Sequence, residues 1–156
     1  MIHRDTRPLS EQERQTARGG IPFLRTKKRK IDANADHVEV LDFTVLRAWT
    51  LITCDGPPCC PNRWLLQISP TELVYVRHWD HLDLIDDAFP GSQVHLARLP
   101  GTHHLLDARA EGAPIQREWP KDEMAIIPLY EKTNAECQVI QITELPPSVH
   151  KTLGIV

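Results

Sequence analysis

Residues 37–54, HVEVLDFTVLRAWTLITC, decide the fold class because their apolar side chains fit two different periods. One is the alternation of a strand face, formed by Leu41, Phe43, Val45, Trp49 and Leu51. The other is the apolar stripe of a helix, formed by Val38, Leu41, Val45, Ala48, Trp49 and Ile52. Asp36 and Glu39 would form the capping box at the start of that helix. The segment is rich in β-branched and aromatic residues, which favour strands, so we predict strand structure here.

The sequence that follows predicts further short strands joined by close turns. Residues 64–69 (WLLQIS) and 72–79 (ELVYVRHW) have the spacing of a hairpin. We expect a short helix over 80–89 that is capped by Asp80. Three more strand patterns follow at 93–99 (QVHLARL), 124–130 (MAIIPLY, in which Pro128 marks an edge or a bulge) and 136–145 (ECQVIQITEL).

The predicted fold class is therefore α+β in a single domain. We expect a largely antiparallel sheet of about five to six short strands with one or two short helices, preceded by a basic N-terminal arm. The arm covers residues 1–36 and contains one short helix, which a capping box of Ser10 and Glu13 begins. Residues 37–156 form the acidic α+β body.

Charge is divided unevenly between these two parts. Residues 1–30 hold nine Lys and Arg against three acidic residues, a net charge of +6, whereas residues 31–156 hold nine against 18, a net charge of −9. An asymmetry of this kind suggests a basic arm that contacts a polyanion. Two alternatives stay open for the arm, namely a solvated tail and a clamp that folds back on the acidic body.

Our leading hypothesis is a small intracellular binding or regulatory protein whose arm contacts nucleic acid or another polyanion. Lys and Arg neutralise phosphates and release condensed counterions, so the affinity falls as salt rises. The residues predicted to make this contact are Arg14, Arg18, Arg25, Lys27, Lys28, Arg29 and Lys30. No P-loop, Rossmann or nucleophile-elbow motif is present in the sequence, which argues against those enzyme classes.

A metal-dependent, hydrolase-like enzyme is the second hypothesis, because histidines and carboxylates cluster in the second half of the chain. Imidazole and carboxylate groups ligate zinc and other divalent transition metals, although no cofactor is required by any motif. The candidate metal ligands are His78, His81, His103 and Asp80, with His95 and Asp107 as further members of the cluster. Whether Cys54, Cys59 and Cys60 bind metal is left open, because their spacing differs from paired zinc knuckles.

A protein-interaction module of the inhibitor or immunity type is the third hypothesis. Its acidic body would meet a basic partner, and the tryptophans supply candidate contact residues because indole rings favour interfaces. Trp49 and Trp64 lie within strand patterns and are expected in the core, whereas Trp119 is a candidate surface residue. With no apolar run long enough to span a bilayer and no signal-peptide pattern, we expect a cytoplasmic protein without membrane contact.

Overall fold

Two antiparallel sheets form the frame of the molecule. A computed structural model describes residues 2–14, 36–51, 62–78, 89–101, 103–132 and 136–155. Sheet 1 has the order β1–β2–β6–β7, with β1 at His3–Pro8, β2 at His37–Thr44, β6 at Gly91–Arg98 and β7 at Leu105–Pro114. Sheet 2 has the order β8–β3–β4–β5–β9, with β3 at Arg47–Leu51, β4 at Asn62–Gln67, β5 at Glu72–His78, β8 at Arg117–Glu118 and β9 at Cys137–Gln141.

Short helices accompany the second sheet, and within the described ranges all strand pairs but one are antiparallel. A 3₁₀ turn at Glu123–Ile126 leads into a helix at Ile127–Lys132, and a second 3₁₀ turn at Ile142–Glu144 precedes the C-terminal helix at Pro147–Leu153. The exception is the short parallel pairing of β8 with β3. The predicted α+β class with mostly antiparallel strands is confirmed, although the strands are divided between two sheets. No helix of the described residues is long and apolar enough to cross a membrane.

The predicted strand at 37–54 is confirmed over residues 37–51, where it divides between the two sheets. The Val45 N–H donates to the Ser92 carbonyl of sheet 1 at 2.9 Å, and the next N–H, that of Leu46, donates to the Gln67 carbonyl of sheet 2 at 2.7 Å. The chain therefore leaves one sheet and enters the other between two consecutive residues. Because β2 and β3 are one continuous stretch, this crossing fixes how the two sheets face each other.

Two apolar layers cover both faces of sheet 2. The layer between the sheets joins Leu41, Phe43, Val94 and Leu96 of sheet 1 to Trp64, Leu66, Val74 and Val76 of sheet 2. The layer on the opposite face packs the helices against sheet 2 through Trp49, Leu65, Tyr75, Leu129, Val149 and Leu153. Burial on both faces explains the continuous apolar runs of β4 and β5, since only a strand covered on one face alternates cleanly. The outer face of sheet 1 carries no comparable layer of helices among the described residues.

The first residues of the predicted arm belong to sheet 1. Residues His3–Pro8 form β1 and pair antiparallel with β2, from His3 opposite Asp42 to Pro8 opposite His37. Every residue of β1 is exposed, so the strand has no apolar alternation that a sequence pattern could display. Residues 14–30, which carry most of the basic charge of the arm and are called the basic segment below, therefore lie in the chain between two neighbouring strands of the sheet and not before it.

Two of the later strand predictions need correction. Residues 124–130 are helical, because the Asp122 side chain accepts a hydrogen bond from the Met124 N–H at 3.0 Å and starts the turn. Pro128 lies in the first turn of the helix, where its missing N–H costs nothing. The strand predicted over 136–145 ends at Gln141, and Pro147 begins a C-terminal helix that the sequence pattern did not predict. Strand β7 was also not predicted, and the helix expected over 80–89 lies almost wholly outside the described residues.

Replacing Trp64 with alanine is expected to lower the free energy of unfolding by about 3–5 kcal/mol, as for other buried large-to-small substitutions. Trp64 is 4% exposed in the layer between the sheets and contacts Phe89 edge to face, with ring centroids 5.5 Å apart. Urea denaturation followed by fluorescence measures the change. Trp119→Ala is the matched control, because Trp119 is 57% exposed and its loss should change stability by only about 0.5 kcal/mol. Equal losses in the two variants would contradict this core.

Candidate functional site

The outer face of sheet 1 carries a row of charged side chains across its strands. Asp42 on β2 lies directly opposite His95 on β6, and His95 lies opposite Arg109 on β7. The neighbouring residues Leu41 and Leu96 face the core. Because side chains alternate between the faces of a strand, Asp42, His95 and Arg109 all point outward.

His95 lies between two carboxylates. Its Nδ1–H donates to Asp42 Oδ1 at 2.5 Å, and its Nε2 is 3.6 Å from Glu111 Oε2. The Asp42 and His95 side chains are 35% and 38% exposed, whereas Glu111 is 72% exposed. One ring nitrogen is thus held by the sheet, and the other faces a carboxylate that solvent reaches.

Two glycines shape the backbone around Glu111. The pairing of β6 with β7 shifts register between Gly91 and Gln93, and a Cβ at Gly91 would be 2.3 Å from the Glu111 carbonyl oxygen. Gly112 follows with φ of 78°, in the left-handed region that disfavours other residues. Glycine is therefore required at both positions for β7 to carry Glu111 next to His95.

An open groove of about 340 Å³ runs along this face. Three apolar residues line it, Val40, Leu96 and Ala97, together with six charged ones: Arg7, Asp42, His95, Asp107, Arg109 and Glu111. A smaller hollow of about 200 Å³ adjoins it, shares Arg7, Asp107 and Arg109 with the groove, and is completed by the helical turn 11–14. The groove is large enough for a small ligand or for one unit of a polymer.

The N-terminal turn beside the groove is fixed by the predicted capping box, which is confirmed. The Ser10 N–H donates to Glu13 Oε1 at 2.8 Å, and the Glu13 N–H donates to Ser10 Oγ at 3.1 Å. Arg7 on β1 adds a bidentate pair to the Glu13 carboxylate, at 2.5 and 2.8 Å. Glu13 is buried. These contacts attach the start of the basic segment to the edge of sheet 1.

Both ends of the basic segment lie near each other. A hydrogen bond from His37 is the main cause that lowers the pKa of Asp36, and the positive charge of Arg14 lowers it further. Arg14, the first residue of the segment, is the last described residue before 15–35, and Asp36 is the first described residue after them. The segment therefore leaves and re-enters the fold at one end of sheet 1.

The electrostatics of the groove favour a protonated His95. The hydrogen bond to Asp42, together with the negative charges of Asp42 and Glu111, raises the pKa of His95 above its usual value despite partial burial. The protonated His95 ring of β6 then contacts a carboxylate on each neighbouring strand, Asp42 on β2 and Glu111 on β7. Loss of its proton leaves the two carboxylates without the positive charge between them.

Most of the predicted polyanion-binding residues cannot be placed. Arg14 ends the described part of the N-terminal turn and is partly exposed. The remaining six lie outside the described residues: Arg18, Arg25, Lys27, Lys28, Arg29 and Lys30. Their role stays a prediction.

The predicted metal ligands are likewise only partly within the described chain. His78 ends β5, His103 lies in the turn before β7 with φ of 58°, and Asp80 and His81 fall outside the described residues. Over the residues that the structure describes, no group of three or more His, Cys, Asp and Glu side chains is arranged to hold a metal ion. Cys54, Cys59 and Cys60 also lie outside them.

Cys137 is buried in the core, whereas Trp119 lies on the surface. Cys137 is fully buried, and this burial raises the pKa of its thiol to about 11, so that it stays protonated at neutral pH and is not a nucleophile. Trp49 and Trp64 are buried as predicted, whereas Trp119 is 57% exposed.

The Asp42–His95–Glu111 cluster was not predicted as a unit. His95 is recognisable as one of several histidines, but Asp42 lies 53 residues earlier in the chain. The contact between Asp42 and His95 depends on the register of β2 against β6. The sequence of either strand alone does not indicate this register. The available signal was that both are polar residues between two core residues of an alternating strand.

Replacing His95 with asparagine should reduce stability more at pH 5.5 than at pH 8.5. Since the pKa of His95 is raised on folding, its contribution is fully present below the unfolded pKa and is lost as the pH rises through the folded pKa. The side chain is 38% exposed and screened by solvent, so we expect an effect of no more than about 1 kcal/mol. Urea denaturation at both pH values measures it. His37→Asn, which removes the exposed pair of His37 with Asp36 at the start of β2, is the control. An equal loss of stability at both pH values in His95→Asn would contradict the assignment.

Comparison with known proteins gives no relative from which a function could be transferred. No family model matches the chain, and neither the curated proteins nor the solved structures contain a match. The residues of this chain are therefore the basis for the proposals that follow.

Proposed function

We propose that this protein binds nucleic acid or another polyanion through the basic segment of residues 14–30. The observation that carries the proposal is the charge of this segment, which contains seven Lys and Arg and no acidic residue. Each positive charge placed against a phosphate releases a condensed counterion, and this release drives binding without sequence recognition.

Several arginines outside the segment already form ion pairs with carboxylates, and this supports binding by the segment. Arg47 pairs with Glu118, Arg98 with Glu39 and Arg109 with Asp107, at 2.5, 2.8 and 2.9 Å. Arg7 pairs with Glu13. A guanidinium that already contacts a carboxylate offers less net attraction to a phosphate than an unpaired one. These four guanidinium groups are therefore less available to an external polyanion, which favours the segment as the binding site.

The attachment of the segment adds to this support. Because the segment lies in the chain between β1 and β2, and these strands pair with each other, the segment is attached at both of its ends to the same end of sheet 1. A tail fixed at one end would sample a larger volume. The double attachment limits how far a polymer bound to the segment can lie from the described ends of the segment, and the acidic remainder of the chain limits adhesion elsewhere.

Neutralising three residues of the segment tests the proposal. We expect Lys27→Gln, Lys28→Gln and Arg29→Gln together to weaken binding of RNA and duplex DNA and to flatten its dependence on salt. The slope of log K against log salt should fall by about 2–3 if each residue contacts one phosphate. Fluorescence anisotropy at several salt concentrations measures both quantities.

A control with the same change in net charge separates local contact from overall charge. Arg117→Gln, Lys121→Gln and Lys151→Gln together remove three exposed positive charges elsewhere on the fold. This variant should keep the salt slope of the unmodified protein. Equal weakening in the two triple variants, or an unchanged slope in the first, would contradict binding by the segment.

A further inference from the structure

We propose that two copies of this protein pair along the outer edge of β7, antiparallel and centred on Ala110, so that their four-stranded sheets become one continuous sheet. β7 is the last strand of sheet 1, and no described strand pairs with its outer side. An uncovered strand edge presents backbone N–H and C=O groups to which another strand can bind. The partner that fits this edge is a second β7, because the charges of the strand complement one another.

The hydrogen-bond pattern of sheet 1 determines which backbone groups of β7 point outward. The Val45 N–H donates to the Ser92 carbonyl, so the backbone groups of Ser92 face β2. Because these groups alternate in direction along a strand, those of His95 face β7, where Arg109 lies opposite. The N–H and C=O of Ala110, the next residue, therefore point away from β6 towards the free edge.

This edge is open to solvent over the second half of β7. Arg109 and residues 111–114 are exposed and Ala110 is partly exposed, whereas Ala108 is buried. Gly112, with φ of 78°, interrupts the regular strand geometry. The surface that a second strand can pair with is therefore short and centred on Ala110. An interface of this size falls in the class below about 1,200 Å², which is typical of weak association.

Charge selects one register for this pairing. Centring it on Ala110 places Arg109 of each copy opposite Glu111 of the other, and the two-fold symmetry produces this ion pair twice. Directly opposite side chains in an antiparallel pair have Cβ atoms about 4.5–5.5 Å apart, close enough for opposite charges to attract. Centring the pairing on Arg109 would instead oppose two arginines and would bring Asp107 against Glu111, so like charges would repel.

Both charged groups are available for the pairing. Arg109 and Glu111 are 75% and 72% exposed. The Nε of Arg109 donates to Asp107 at 2.9 Å, and the guanidinium has further N–H donors for a second carboxylate. Glu111 Oε2 is 3.6 Å from His95 Nε2, beyond hydrogen-bond distance, so it can turn towards a second copy without losing a hydrogen bond. On the inner face only alanine and glycine side chains meet.

Other edges of the two sheets are protected against pairing. On β1, the outward Thr6 N–H donates to Asp5 Oδ1 at 2.8 Å, and Pro8 has no N–H. On β9, the Cys137 carbonyl accepts a hydrogen bond from Arg98 at 2.9 Å. Proline and charged side chains at an edge are means by which proteins prevent strands from pairing. Among the described residues, no side chain occupies the backbone groups of Ala110 in this way.

Sedimentation velocity over a range of protein concentrations provides the first test. The full-length protein, freed of nucleic acid by nuclease treatment and ion exchange, should shift from monomer to dimer as its concentration rises from micromolar towards millimolar. A protein that stays monomeric over this range would overturn the proposal. A dimer that forms only when RNA is added would also overturn it, because the polymer would then be bridging two monomers.

Exchange of the two charges provides the second test. Arg109→Glu and Glu111→Arg should each raise the dissociation constant of the dimer about tenfold or more, because each variant alone opposes like charges at two positions. An equimolar mixture of the two variants should dimerise again, since every like-charged contact is then replaced by an opposite-charged one. A mixture that associates no better than the single variants would overturn the register.

Ala110→Pro tests the backbone contact itself. Proline removes an N–H that the pairing of β6 with β7 does not use, so the variant should keep its fold in thermal melting and lose the dimer. Lys151→Glu makes the same charge change as Arg109→Glu at an exposed position of the C-terminal helix, and should dimerise like the unmodified protein. An undiminished dimer in folded Ala110→Pro, or equal weakening in Lys151→Glu, would contradict pairing through β7.

Discussion

The rest of the structure depends on the point at which the chain passes from sheet 1 to sheet 2, between Val45 and Leu46. One N–H belongs to sheet 1 and the next belongs to sheet 2, so the two sheets are joined where their shared core begins. Arg98 makes a second connection, since its Nη1 donates to the Cys137 carbonyl of β9 at 2.9 Å while Nη2 contacts Glu39 at 2.8 Å. Because the bond to β9 is buried, replacing Arg98 would leave polar groups without partners.

The layer order that follows from this crossing determines where polar chemistry can be placed. Sheet 2 lies between two apolar layers, where burial of an ionised group without a partner is costly. Arg47 and Glu118, which pair with each other, stand at the ends of their strands. On its outer face, sheet 1 buries a small apolar cluster of Leu9, Val38, Leu99 and Leu106, and further along β2 and β6 the same face holds the charged residues Asp42 and His95. Asp42, His95 and Glu111 share a face because the pleat brings them there, although they are distant in sequence.

The sequence allowed prediction of those features that depend on nearby residues. The capping box at Ser10 and Glu13, the hairpin of β4 and β5 and the strand character of 37–51 are all local patterns, and all are present. Residues 124–130 were misassigned because β-branched residues favour strands in general, whereas the cap at Asp122 and burial against sheet 2 decide for a helix here. The groove could not be predicted, since it depends on the register between strands that lie about fifty residues apart.

The connection between β1 and β2 has a consequence for how this protein can diverge over evolution. The conformational entropy lost in closing a connection rises with the logarithm of its length, by about 0.6 kcal/mol for each doubling. On that scale, doubling the number of residues between Arg14 and Asp36 would add little to the entropic cost of pairing β1 with β2. Selection can adjust the reach and charge of this segment almost independently of the sandwich, while the residues around His95 remain tied to strand register.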